Sequence, residues 1–127
     1  MKKILLIDDS EVSLAKTKNI LKNKYDILTA NSGFAAITHL SKGYVPDLIL
    51  LDVLMPEMDG WEAYNLIKGI CLLRDVPIAF FTSLDNETDK TQASRLGAAD
   101  FISKPLENDE LIQRIESIIC KFESKSA

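Results

Sequence analysis

The chain reads as an α/β protein, a five-stranded parallel sheet with helices packed on both faces. Short, unbroken apolar runs recur along it, and between them lie stretches whose apolar residues fall at helical spacing. Alternation of this kind yields parallel strands joined by right-handed helical crossovers. Runs that are apolar throughout, rather than alternating, are what strands covered on both faces require.

ILLI (Ile4 to Ile7) is the first strand. A helix around Glu11 to Asn23 follows, with Leu14, Ile20 and Leu21 facing inward and Ser13, Lys16 and Thr17 interrupting the stripe. YDILTA (Tyr25 to Ala30) is mixed, as an edge strand should be. The next helix places His39, the sole histidine, at the surface, and Gly43 suits its C-terminal cap. LILL (Leu48 to Leu51) is the third strand, and Trp61, Tyr64, Ile67 and Ile70 or Cys71 form the stripe of the third helix. IAFF (Ile78 to Phe81) precedes a largely polar helix from about Asn86 to Leu96, capped by Gly97. DFIS (Asp100 to Ser103) is the fifth strand, and Leu111, Ile115, Ile118, Ile119 and Phe122 mark the last helix. The 127 residues suit one domain over 1–122, with 123–127 a polar tail or the start of a linker.

Composition narrows the function. With 46% hydrophobic and 27% charged residues, the chain fits a soluble globular class. A net charge of -4 and the lack of a Lys/Arg stripe argue against direct nucleic-acid binding. No apolar run approaches membrane-spanning length. The run after Lys2 and Lys3 stops at Asp8 and Asp9, too early for a signal peptide. Cys71 and Cys120 lie in apolar helical patterns and are expected to be buried small hydrophobes, not a disulfide or zinc framework. A cytoplasmic setting is expected.

In such sheets ligands bind beyond the carboxyl ends of the strands. There the first strand ends in Asp8 and Asp9, the third in Asp52, the fourth in Thr82 and Ser83, and the fifth in Lys104 and Pro105. One Asp after a strand is ordinarily a turn or cap residue. Several polar groups converging on one rim are harder to explain that way. Three carboxylates against one ammonium leave a negative cluster, which a hard divalent cation such as Mg²⁺ would offset. A carboxylate held there can act as a nucleophile towards phosphorus, with Lys104 and the Thr82 hydroxyl receiving the transferred oxygens.

IDDS, LLDVLMPEMDG, FFTS and ADFISKP stand in order at the right strand ends. With these motifs the chain resembles the receiver domain of two-component response regulators over essentially its whole length. The resemblance implies a flavodoxin-like, doubly wound fold with strand order 2-1-3-4-5. It implies that Asp52 is the phosphoacceptor, that Asp9 binds Mg²⁺ directly and Asp8 through water, and that the Leu54 backbone carbonyl adds a ligand. Thr82, with Ser83 beside it, corresponds to the switch hydroxyl, Lys104 to the lysine that pairs with the phosphoryl group, and Phe101 to the aromatic switch position. Pro56 and Gly60 match the turn after the acceptor, and the bond before Pro105 is one that relatives often hold cis. The implied partners are a sensor histidine kinase or phosphotransfer protein, and an output reached through the face of the fourth helix, fifth strand and fifth helix, where phosphorylation-linked dimers also form. Whether this is a single-domain regulator or the receiver of a longer protein stays open.

Leu54 and Leu84, two residues beyond Asp52 and Thr82, depart from the polar residues that relatives often carry. They suggest slow self-dephosphorylation. Three other readings compete. A haloacid-dehalogenase-type phosphohydrolase would need a second acid two residues after its nucleophile, where this chain has Ser10 after Asp8 and Asp9. A flavodoxin would need a phosphate loop where DDSEVS is acidic. A receiver-like module that binds partners without being phosphorylated would not need the full set of site residues.

Overall fold

The computed structural model describes residues 1–70, 73 and 75–126. Ten elements alternate: β1 (Lys3–Ile7), α1 (Glu11–Leu21), β2 (Asp26–Ala30), α2 (Gly33–Ser41), β3 (Leu48–Leu51), α3 (Gly60–Lys68), β4 (Ile78–Thr82), α4 (Glu87–Leu96), β5 (Asp100–Ser103) and α5 (Asn108–Ser126). The strands form one parallel sheet in the order β2-β1-β3-β4-β5. This is the flavodoxin-like, doubly wound order implied by the resemblance.

The sheet separates two cores. Leu5, Ile7, Ile49, Leu51, Ile78 and Phe80 face one side, under α2, α3 and α4. Ile4, Leu6, Leu48, Leu50, Ala79 and Phe81 face the other, under Leu14 and Leu21 of α1 and Leu111, Ile115 and Ile118 of α5. Strand residues alternate between faces, so a strand covered on both must be apolar at every position. β3 meets that demand throughout, as do Ile4 to Ile7 of β1 and Ile78 to Phe81 of β4, whereas β2 and β5 at the edges are only partly buried.

Each of the first four helices starts on a side-chain cap: Ser10 for α1, Ser32 for α2, Asp59 for α3 and Asn86 for α4. Asp8, Asp9 and Asp52 are therefore not the caps that isolated strand-end aspartates usually are. Gly43 and Gly97 follow α2 and α4 with φ of 99° and 89°, as the cap pattern anticipated.

Four details differ from the sequence reading. Thr17, expected to interrupt the inward stripe of α1, is buried, while Ile20 is only partly so. The third helix stops at Lys68, because Gly69 caps it, yet Ile70 still packs on the core. The ESKS end is helical through Ser126. Cys120 is exposed rather than buried. It follows Ile119, so the helical turn of about 100° per residue carries it off the apolar stripe. Cys71 lies outside the described residues. No helix among the described residues is long and apolar enough to cross a membrane.

The loop from β3 to α3 folds back onto the strand end. Gly60 N–H donates to the Val53 carbonyl at 2.9 Å. A Cβ at Gly60 would lie 2.3 Å from the Asp52 carbonyl oxygen and 2.7 Å from Val53 Cα, both backbone atoms with little room to yield. Gly60→Ala should therefore cost at least about 2 kcal/mol in urea unfolding; a variant as stable as the parent would show that this approach is relaxed in solution.

Candidate functional site

The strand ladders extend one residue past the strands to set the rim. Asp52 N–H donates to the Ile7 carbonyl at 2.9 Å, Asp8 N–H to Ala30 at 3.2 Å and Lys104 N–H to Thr82 at 2.8 Å. The three aspartates, Asp8, Asp9 and Asp52, each offer a carboxylate oxygen, and these oxygens lie within 4.8 Å of one another. Asp8 and Asp52 are buried and Asp9 is exposed. A set of hard carboxylate oxygens, buried on one side and open on the other, fits a divalent cation that keeps part of its water.

Asp8 Oδ1 accepts from Ser10 N–H at 3.0 Å, and Asp52 Oδ1 from Leu54 N–H at 3.3 Å. Thr82, fully buried, accepts from Leu84 N–H at 3.4 Å. The Lys104 ammonium donates to Asp8 Oδ2 at 2.6 Å and to Ser13 Oγ at 2.9 Å, and it lies 4.8 Å from the centre of the Phe81 ring.

The two buried carboxyls are pushed in opposite directions. For Asp8, burial raises the pKa, but hydrogen bonds from Lys104, Ser10 and Ser13 and the Lys104 charge outweigh it and hold the group below the usual carboxylate range. For Asp52, burial dominates and the Asp8 charge adds to it, so its pKa rises despite Thr82, Lys104 and Leu54 N–H. Lys104 bonds Asp8, the carboxylate that stays charged more readily.

The remaining expected residues are placed as follows. Ser83 is exposed just beyond β4. Phe101 is half-buried, its ring centre 6.3 Å from that of Phe80. Pro56 is exposed in the turn before Gly60, and its carbonyl accepts from Met58 N–H at 2.7 Å. The Lys104–Pro105 peptide bond is cis. Leu54, 52% exposed, and Leu84 line one depression with Asp9 and Trp61.

Three participants were not singled out from the sequence. Ser13 reaches Lys104. Ser103 Oγ donates to the Leu84 carbonyl at 2.9 Å and so links the end of β5 to the loop after β4. Arg114 grips Asp100 through two bonds of 2.6 and 3.0 Å. Only Ser13 left a signal, as a polar break in the stripe of α1.

The raised pKa of Asp52 has a definite sign. The folded protein holds that proton more tightly than the unfolded chain, so at neutral pH the ionised side chain costs stability. Without divalent cations, Asp52→Asn should melt above the wild type at pH 7. The gap should shrink as pH falls through the raised pKa of Asp52, where the wild-type carboxyl takes up its proton. Asp8 contributes with the opposite sign, stabilising above its unfolded pKa and losing that contribution on acidification. A melting point for Asp52→Asn equal to or below that of the wild type at pH 7 would contradict the charge balance drawn here.

Comparison with known proteins agrees with this arrangement. The family model of the response regulator receiver domain matches residues 4–116. The response regulator PleD of Caulobacter vibrioides is 36% identical over 118 residues, covering 91% of this chain and 26% of PleD. Protein PilH of Pseudomonas aeruginosa is 30% identical over 120 residues, covering 94% of this chain and 98% of PilH. The chain thus spans only a part of PleD's length and nearly all of PilH's. The crystal structure of the signal receiver domain of a signal transduction histidine kinase from Syntrophus aciditrophicus superposes with a TM-score of 0.83 at 34% identity, covering 95% of this chain and 92% of that one. The chain belongs to the response regulator receiver domain family.

Proposed function

We propose that this chain is a phosphorylation-dependent signalling switch of the cytoplasm. It accepts a phosphoryl group on Asp52 from a histidine kinase or phosphotransfer protein, and it reshapes its α4–β5–α5 face to control a partner protein or an attached output domain. The observation that carries this reading is the convergence on Asp52 of two further carboxylates, a buried hydroxyl and an ammonium.

An Asp52 carboxylate oxygen attacks the phosphorus of a donor phosphohistidine. The new P–O bond forms as the P–N bond breaks, and the donor ring, already protonated on its other nitrogen, takes the P–N electron pair and leaves as neutral imidazole. Asp8, Asp9 and Asp52, with the Leu54 carbonyl, would hold Mg²⁺, which when bound supplies positive charge to the phosphoryl oxygens. Lys104 and Thr82 bind the phosphoryl oxygens once the group is in place, with Ser83 at the mouth of the site. Those contacts exist only in the phosphorylated state, so they bias a two-state equilibrium.

Movement of the Thr82 hydroxyl towards the phosphoryl group opens space for Phe101 to turn inward beside Phe80. The Ser103–Leu84 bond carries the change into the loop before α4. The exposed polar surface of α4 is the partner-facing element, and phosphorylation-linked dimers use the same face. The net charge of -4 supports control through protein contact rather than direct DNA binding.

Incubation with acetyl phosphate and Mg²⁺ should yield a single phosphoryl adduct by intact mass, absent from Asp52→Asn and absent with a chelator. No adduct on a folded, Mg²⁺-binding protein, from acetyl phosphate or from phosphohistidine donors, would favour a phosphorylation-independent binding module.

The adduct should be long-lived. Leu54 and Leu84 share the depression beside Asp9 and offer no side-chain group to hold an attacking water. Leu54→Asn should shorten the phosphoryl lifetime by about tenfold, since an amide can orient water near the acyl phosphate. A short wild-type lifetime that Leu54→Asn leaves unchanged would remove the shielding role.

A further inference from the structure

Ser13 sits in the first turn of α1, where its backbone N–H donates to Ser10 Oγ at 3.2 Å. That capping bond fixes the residue independently of its own hydroxyl. The hydroxyl reaches across to the opposite end of the chain, accepting from the Lys104 ammonium at 2.9 Å. The same ammonium donates to Asp8 Oδ2 at 2.6 Å. Asp8 and Ser13 thus both hold the Lys104 ammonium, with the Phe81 ring beside it at 4.8 Å.

Geometry and charge give the two bonds a purpose. An ammonium has three N–H donors. Asp8 and Ser13 use two of them, and the third has no hydrogen-bond acceptor among the described residues. A lysine tethered by a single ion pair still swivels on its four-carbon stem, and ordering that stem at the moment of binding costs entropy. A second acceptor on a different element removes that freedom beforehand. An acid in place of Ser13 would cancel the positive charge, and an apolar residue would leave the stem loose. A hydroxyl orients the ammonium while leaving its charge uncancelled.

We propose that Ser13 is a positioning residue for phosphoryl binding: its hydroxyl holds the Lys104 ammonium beside Asp8, with one N–H kept for a phosphoryl oxygen on Asp52. This rests on the receiver chemistry proposed above and adds a residue to it. Ser13 acts through Lys104 and touches neither the phosphoryl group nor the metal.

The test is equilibrium binding of beryllofluoride, a phosphoryl analogue, to the full chain at saturating Mg²⁺. Trp61, the sole tryptophan and a neighbour of Asp9 in the depression, serves as the fluorescence reporter. Ser13→Ala should weaken binding at least about tenfold, the low end of what one hydrogen bond to a charged group contributes. Ser13→Thr should restore it. In a Lys104→Met background, Ser13→Ala should have no further effect, whereas a purely structural role would produce the same loss there. Affinity for Mg²⁺ alone, and the melting temperature, should change little in Ser13→Ala.

Unchanged or tighter beryllofluoride binding in Ser13→Ala would overturn the proposal, as would an equal loss with and without Lys104. A wild type with no Mg²⁺-dependent response to beryllofluoride would overturn the receiver chemistry itself, and this inference with it.

Discussion

The register of β1 against β3 is the constraint on which the site depends. Ile7 pairs with Leu51, so the next residues, Asp8 and Asp52, emerge at the same level of adjacent central strands. The ladder continues past the strand ends through the bond from Asp52 N–H to the Ile7 carbonyl. A slip of one residue would turn every side chain of the strand to the opposite face. Leu5 and Ile7 would exchange cores with Ile4 and Leu6, and the two carboxylates would no longer stand side by side. Burial of two complete cores therefore guarantees the spacing of the charges. Hydrophobic packing, itself indifferent to direction, becomes specific because both faces must be filled at once.

That spacing places like charges where water only partly reaches them. The protein resolves the conflict by dividing the roles. Asp8 is surrounded by donors and stays ionised. Asp52 receives fewer and carries the penalty of burial together with its neighbour's charge. The outcome leaves Asp52 as the carboxylate whose charge is least compensated, while Lys104 is kept close on Asp8.

Contacts leading away from the rim run towards one surface. Ser103 links the end of β5 to the Leu84 carbonyl, Asp85 of the same loop pairs with Lys90 of α4 at 2.9 Å, and Arg114 of α5 holds Asp100 of β5. The exposed Asp85–Lys90 pair contributes little stability. The two-pronged Arg114–Asp100 contact is firmer, and it ties α5 to the edge strand that carries Phe101. These elements form a connected set, and α4, with Ala93 as its sole buried residue, is held to the core less firmly than its neighbours.

Apolar runs and helical stripes determined the element order by themselves, because strands covered on both faces and helices covered on one leave unmistakable periods. Charge at the strand ends likewise marked the rim that the structure assembles as the candidate site. Asp8, Asp9, Asp52, Thr82 and Lys104 could be named because each stands at or just beyond the end of an apolar strand, and the resemblance carried by the motifs around them supplied the strand order. The tertiary structure alone decided which partners these groups have. That Lys104 bonds Asp8 and Ser13, that the two buried aspartates are pushed apart in pKa, and that Cys120 faces outward all depend on distances between residues far apart in the chain or on the rotation of a helix about its axis. Local sequence encodes period and type; pairing across ninety-one positions, as between Ser13 and Lys104, arises only when packing brings the elements together.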